Sequence, residues 1–341
     1  MLAVACTAAV LMAITGCSTQ SAGTATATKT PGQPRALESI TIAQPSHGLH
    51  ILPLDVAVAK NFFQKEGITV KIVQVNGDAA AIPALISGSV QIAQDTSTPV
   101  LIADSKSPQL QMIADMAGPP AQIVMRKDVA QKAGITASSS LSKKVHALSG
   151  MTVAVNDIGG GLQYVLNGVL FKYGVDPSSV HIVAISPYTA ALAALKSGRI
   201  DAIAPVSPYG SSAVQDGYGV NIADVFGGDV SDISSIPYSV LDANASWLKT
   251  HAAEANAVRK AIDDALKYIK SNPAGAAAVA KVNLPTLSTA VLEKSIKAGA
   301  YPADINFSKS EFDLAANFAG QSNPDAGGVS YKVGVWTGAQ G

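Results

Sequence analysis

The residues able to do chemistry in this chain fall into six short polar clusters, three in each of two stretches. Gln44, Ser46 and His47 form the first, Gly77 and Asp78 the second, and Asp95, Thr96, Ser97 and Thr98 the third. The other three are Asn156, Gly159, Gly160, Gly161 and Gln163, then Ser186, Tyr188 and Thr189, then Ser207 and Tyr209. Each cluster follows an apolar run rich in β-branched residues and precedes a stretch with helical spacing, which puts it at a strand end and a helix start. Unpaired backbone N–H groups and the helix dipole at such places favour the anionic head of a ligand, such as sulfonate, nitrate or carboxylate. Asp55, Asp78 and Asp95, with no Lys or Arg among the candidates, would instead suit an amine or a nitrogen heterocycle if they faced one cleft. Asp78, Thr98 and Thr189 also have the ordinary reading of helix caps, and the three adjacent glycines that of a turn.

Catalytic and metal chemistry find less support. Gly159-Gly160-Gly161 has neither the Gly-x-Gly-x-x-Gly spacing nor the Gly-Lys-Ser/Thr ending of a phosphate loop, and no Gly-x-Ser-x-Gly elbow occurs. Cys6 and Cys17 are the two cysteines, so the body of the chain has no thiolate nucleophile, disulfide or Cys-ligated metal. His47 and His50 are three apart without a third ligand nearby. The expectation is a binding protein with no cofactor and no metal.

What must position the clusters is a repeat. Thr69 to Ala93 and Ser179 to Ile203 align without a gap at an offset of 110 residues, with nine of 25 pairs identical. Val70/Val180, Ile72/Ile182, Val73/Val183 and the Ser87-Gly88/Ser197-Gly198 step carry the match beyond alanine bias. Upstream, Ile40-Thr41-Ile42-Ala43 resembles Met151-Thr152-Val153-Ala154 with one shift in register. Each copy reads as βαβαβ, with first helices over Pro53 to Lys65 and about Gly161 to Lys172. That pattern implies α/β lobes, each a mostly parallel sheet, with ligand loops beyond the carboxyl ends of the strands. The proline pair in Gly118-Pro119-Pro120 marks an extended passage out of the first lobe, and Ser235-Ile236-Pro237-Tyr238-Ser239 the return. From Ala245 onward the chain reads as helices, beginning with Ala252 to Ser271 stopped by Pro273, which should pack mainly on the first lobe.

At 341 residues two domains are expected, and no apolar run in the body reaches the roughly 20 residues of a membrane span. Lys plus Arg and Asp plus Glu both number 24, and the four arginines are scattered, which leaves no electrostatic footprint for nucleic acid. Leu2 to Ile14 is an apolar segment too short to span a bilayer, and it ends in Ile14-Thr15-Gly16-Cys17. That ending resembles a bacterial lipobox, whose cysteine carries the lipid. Ser18 to Leu37 is a Ser/Thr/Ala/Gly/Pro/Gln tract suited to a flexible tether. No Lys or Arg precedes the apolar stretch, so the true start is expected to lie further upstream.

Four local features point to a family. Ile51-Leu52-Pro53-Leu54-Asp55-Val56-Ala57 precedes Phe62-Phe63-Gln64-Lys65-Glu66-Gly67; Ala84-Leu85-Ile86-Ser87-Gly88 leads into Ile92-Ala93; Leu195-Lys196-Ser197-Gly198-Arg199-Ile200-Asp201-Ala202 repeats that step; and Ala121 to Asp128 reads as a crossing strand. In order and spacing these resemble the periplasmic substrate-binding proteins of nitrate, taurine and alkanesulfonate importers, a family that also includes binders of thiamine-pyrimidine precursors. The resemblance runs from Ser39 to about Trp336. It implies a two-lobed periplasmic-binding-protein fold: residues 1–17 a lipoprotein signal, 18–38 a tether, 39–118 plus 240–341 one lobe and 119–239 the other. It implies a monomer outside the cytoplasmic membrane, lipid-anchored at Cys17, that carries a sulfonate-, taurine- or nitrate-like solute to an ABC permease and ATPase by hinge closure. Asp55 stands where an aromatic is common, and Ser207-Pro208-Tyr209 replaces a frequent Trp-Asp-Pro, which leaves open a pyrimidine, an amine or an aromatic carboxylate. A sensory lipoprotein on the same fold is the reading from another class.

Overall fold

The computed structural model describes residues 38–338; Cys17 and the expected signal and tether lie outside the described residues, apart from the last tether position. Among the described residues, ten strands form two sheets of five. In chain order they are β1 (Glu38–Gln44), β2 (Ile68–Gln74), β3 (Ile92–Thr96), β4 (Leu110–Ala117), β5 (Gln122–Arg126), β6 (Thr152–Val155), β7 (His181–Ala184), β8 (Ala202–Ile203), β9 (Gly219–Asp224) and β10 (Ser239–Asn244). The first sheet has the order β2-β1-β3-β10-β4 and the second β7-β6-β8-β5-β9. Within each, the three strands of the βαβαβ unit are parallel, as helical crossovers between successive strands require. The strand that enters from the other lobe, β10 or β5, is antiparallel to both neighbours.

The repeat is visible in the register. Ile42 lies beside Ile72 in the first sheet and Val153 beside Ile182 in the second, which reproduces both the 110-residue offset and the one-residue shift upstream. The helices Asp78–Ile86 and Tyr188–Lys196 obey the same offset. Their start is set by Gly77 in one copy and Pro187 in the other, and neither Asp78 nor Thr189 is the cap. Thr189 sits one residue inside its helix, where its hydroxyl is too far along to serve the first turn.

The expected helix over Pro53 to Lys65 is two: Leu52–Ala59 and Phe62–Lys65, separated by Asn61 in the left-handed region at φ 58°. Asparagine is one of the few residues that tolerates that conformation, so the break falls on it. The helix Ala252–Ser271 has the expected bounds; its buried side chains, Ala255, Val258, Ala261, Ile262, Ala265, Leu266 and Ile269, keep the three-to-four spacing of an amphipathic face. That face packs on the first lobe against Leu52–Ala59 and β4. Pro273 opens the next helix, Pro273–Asn283, as its first residue, where a missing N–H costs nothing. The later helix Lys309–Ser322 packs on Ser97–Lys106, in the first lobe, and also touches Gly161–Lys172, in the second. No helix among the described residues is long and apolar enough to cross a membrane.

Candidate functional site

The carboxyl ends of the parallel strands of both sheets meet. Gly77 and Asp78, after β2, stand at the start of the helix Asp78–Ile86; Thr96 ends β3 and precedes Ser97–Lys106; Asn156 and Gly161 follow β6; Tyr188 begins the helix after β7. Together with Pro45, Ser46, His50, Asp157, Leu162, Val206 and Tyr238 they line a small cavity of about 30 Å³. The cleft is narrow in this arrangement. Asp78 holds the two lobes together: its carboxylate accepts the Thr96 hydroxyl at 2.8 Å and takes the Gly161 backbone N–H from the opposite side. Gly161 is required by that approach, since a Cβ there would lie 2.3 Å from the Tyr238 hydroxyl and 2.7 Å from that of Thr96.

Burial dominates the electrostatics. Asp78 is raised above the usual carboxylate range by loss of solvent, against which its two hydrogen bonds work. Across the gap, Asp157 is raised to about 6, first by burial and then by the charge of Asp78. His50 is pushed down to about 3 by burial and by His47, so its ring is neutral. The Tyr188 ring lies 5.0 Å from that of Tyr209 at 36°, and burial lifts the Tyr188 and Tyr238 hydroxyls above their usual range, which keeps both as neutral hydrogen-bonding groups. No Lys or Arg lines the cavity.

Not every candidate reaches this cleft. Gln44, His47 and Asp55 line a separate cavity of about 490 Å³ with Gln74 and Asn283, where Gln74 donates to Gln44 at 2.9 Å and Asn283 to Asp55 at 3.1 Å. Asp95 is fully buried in β3 near Asp242 of β10; burial and then the partner's charge hold Asp95 well above the carboxylate range. Ser97 donates to the Pro237 carbonyl at 2.7 Å, while its N–H bonds that of Tyr238 at 2.9 Å, clamping the return passage. Thr98 is buried in its helix and does not line the cavity. Gln163 accepts the Gly159 N–H at 2.7 Å, a turn contact, and Gly160 packs its Cα against the Asp157 carboxylate. Ser186 and Thr189 are exposed. Ser207 lines a different groove, with Gln122 and Phe226, and Tyr209 serves the cleft through Tyr188.

Six wall residues, Pro45, His50, Asp157, Leu162, Val206 and Tyr238, were not among the candidates for binding. Asp157 stands next to Asn156, and its charge in a strand-end loop is the signal that could have found it. His50 and Val206 are single positions in apolar surroundings, and Tyr238 arrives on the return passage, where no strand end points to it.

Two lobes closed on a cleft at their strand ends, with neutral donors and acceptors and no catalytic constellation assembled in it, define a periplasmic-binding-protein fold. The chain belongs to the NMT1-like family, whose model matches residues 47–284. It is a family of substrate-binding proteins and not of enzymes. The YtlA protein of Bacillus subtilis is 25% identical over 246 residues, 71% of this chain and 69% of that one. The taurine-binding periplasmic protein of Escherichia coli is 30% identical over 168 residues, 48% of each chain. Among solved structures, the alkanesulfonate-binding protein SsuA of Xanthomonas axonopodis, bound to MOPS, superposes with a TM-score of 0.68 at 17% identity, covering 86% of this chain and 95% of that one.

Proposed function

We propose that the chain is the extracytoplasmic solute receptor of an ABC-type importer: it captures a small molecule between its lobes and presents the closed form to a permease. The observation that carries this reading is the meeting of Asp78 and Gly161, from facing lobes, around a cavity walled by residues of both. A ligand there gains contacts with two bodies at once, and only in the closed arrangement, which is what makes closure a report of occupancy. The relatives' names, a taurine-binding and an alkanesulfonate-binding protein, support an extracytoplasmic place and a small solute. The lipobox-like ending at Cys17 supports a lipid anchor, which Cys17→Ser would abolish by releasing the protein into the aqueous fraction.

The test is a thermal-shift screen of the purified protein against sulfonates, nitrate, carboxylates, pyrimidines and amines. A ligand of the native state raises apparent stability by RT ln(1 + [L]/Kd), about 2.7 kcal/mol at a hundredfold excess over Kd. A saturable rise with one class is expected; a chain that no small solute stabilises is not a receptor of this kind.

A further inference from the structure

We propose that the cleft selects a positively charged solute, a protonated amine or amidine, and that Asp78 and Asp157, one from each lobe, set this choice. The inference rests on the reading of the cleft as the ligand site. It reverses the charge that helix starts alone suggest, so the wall has to be weighed group by group.

The Asp157 carboxylate lies 3.2 Å from where a Cβ on Gly77 would stand, which places it against the turn that carries Asp78. A carboxylate offers about four acceptor positions; Asp78 has two occupied, by the Thr96 hydroxyl and the Gly161 N–H. Asn156 adds an independent sign of a donor-rich ligand. Its Oδ1 is buried on the wall of the same cavity with no hydrogen-bond partner, and a buried acceptor left unmade costs about 1–3 kcal/mol. His50, which lines this wall and is only 3% exposed, also has an unpartnered ring nitrogen, Nδ1, and being neutral it does not repel a cation. Tyr188 and Tyr238 add aromatic surface of the kind that attracts cations. Two carboxyl groups and a carboxamide oxygen, with no Lys or Arg beside them, make a poor cage for a sulfonate.

The same groups fix the pH dependence. Asp157 faces Asp78, Tyr188 and Tyr238, and the tyrosines remain neutral. Its pKa in the closed cleft, about 6, is above the usual value, so the empty closed form is favoured while a proton is held and is disfavoured as pH rises through 6. A cation takes the place of that proton. Affinity for it therefore rises as pH increases through 6.

The experiment is calorimetric titration of the purified protein with small amines, amidines and guanidines against sulfonates, carboxylates and nitrate, at pH 5 and pH 7.5. Cations alone are expected to bind, more tightly at pH 7.5, and Asp157→Asn and Asp78→Asn are each expected to lose at least tenfold. Asp157→Asn is the more telling variant, since Asp157 makes no hydrogen bond that folding would miss among those described, whereas Asp78 joins the lobes. An anion that binds the unaltered protein, and binds Asp157→Asn equally or better, overturns the charge choice but leaves the cleft as the site. A cation whose affinity survives both substitutions, and survives Gly161→Val, binds elsewhere, and then the reading of the cleft fails as well. Silence toward every cation at millimolar concentration also counts against the proposal.

Discussion

Single buried carboxyls set much of this molecule's response to pH. Asp115 in β4 is raised to about 8, first by burial and then by the charge of Glu311, although the N–H groups of Met116 and Ala117 pull it down. A carboxyl whose folded pKa lies above its unfolded value contributes stability that is complete below pH 4 and is lost as pH rises through the folded value. Each such group adds a slope of about 1.4 kcal/mol per pH unit between those limits. Asp115→Asn mimics the protonated form, so its melting temperature is expected to fall less between pH 6 and pH 8.5 than that of the unaltered protein; equal slopes would show that Asp115 ionises freely in the fold. The site was partly legible at this scale. Gly77, Asp78, Thr96, Asn156, Gly161 and Tyr188 share the cavity because each begins a helix or ends a strand of the βαβαβ unit, a position that apolar periodicity reveals. Gln44 and His47 sit on either side of the same loop as Ser46, yet line another cavity; which way a loop side chain turns has no periodic signature.

At the scale of elements, the repeat carried the most information, because β-branched runs and the Ser-Gly helix endings must recur wherever the same unit is built twice. The antiparallel strands β5 and β10 had no such signal: a strand's direction is set by where the chain comes from, and the passages between lobes decide that. The partition of the C-terminal helices was hidden for a related reason. The helix Lys309–Ser322 is apolar along one face, as Phe312, Ala315, Ala316 and Ala319 show, but the sequence does not say that this face serves two lobes. The close approach at Gly168 does. A Cβ there would lie 2.3 Å from the Phe318 ring. Replacing a helical glycine with alanine ordinarily gains about 1 kcal/mol, whereas overpacking costs about 1–3 kcal/mol. Because the near atom belongs to a ring held in the core, the cost should win, and Gly168→Ala is expected to lower the urea midpoint by an amount equivalent to about 1–2 kcal/mol. A raised midpoint would mean that the contact between these helices is loose.

For the whole molecule, two connections, Gly118 to Ala121 and Ser235 to Tyr238, join the lobes, and the cleft lies beside them. Under the proposed receptor reading a solute enters when the lobes part, with loss of the contact between Gly161 and Asp78. In that reading ligand restores closure by supplying contacts that water does not. The helix Lys309–Ser322 touches helices of both lobes.

Closure on ligand is the central claim, and small-angle X-ray scattering of the purified protein with and without saturating ligand tests it most directly. The account predicts a smaller radius of gyration with ligand, and Gly161→Val, whose side chain would meet Tyr238, held at the larger value in both conditions. A radius that stays the same in the unaltered protein when saturation has been verified by titration would contradict it.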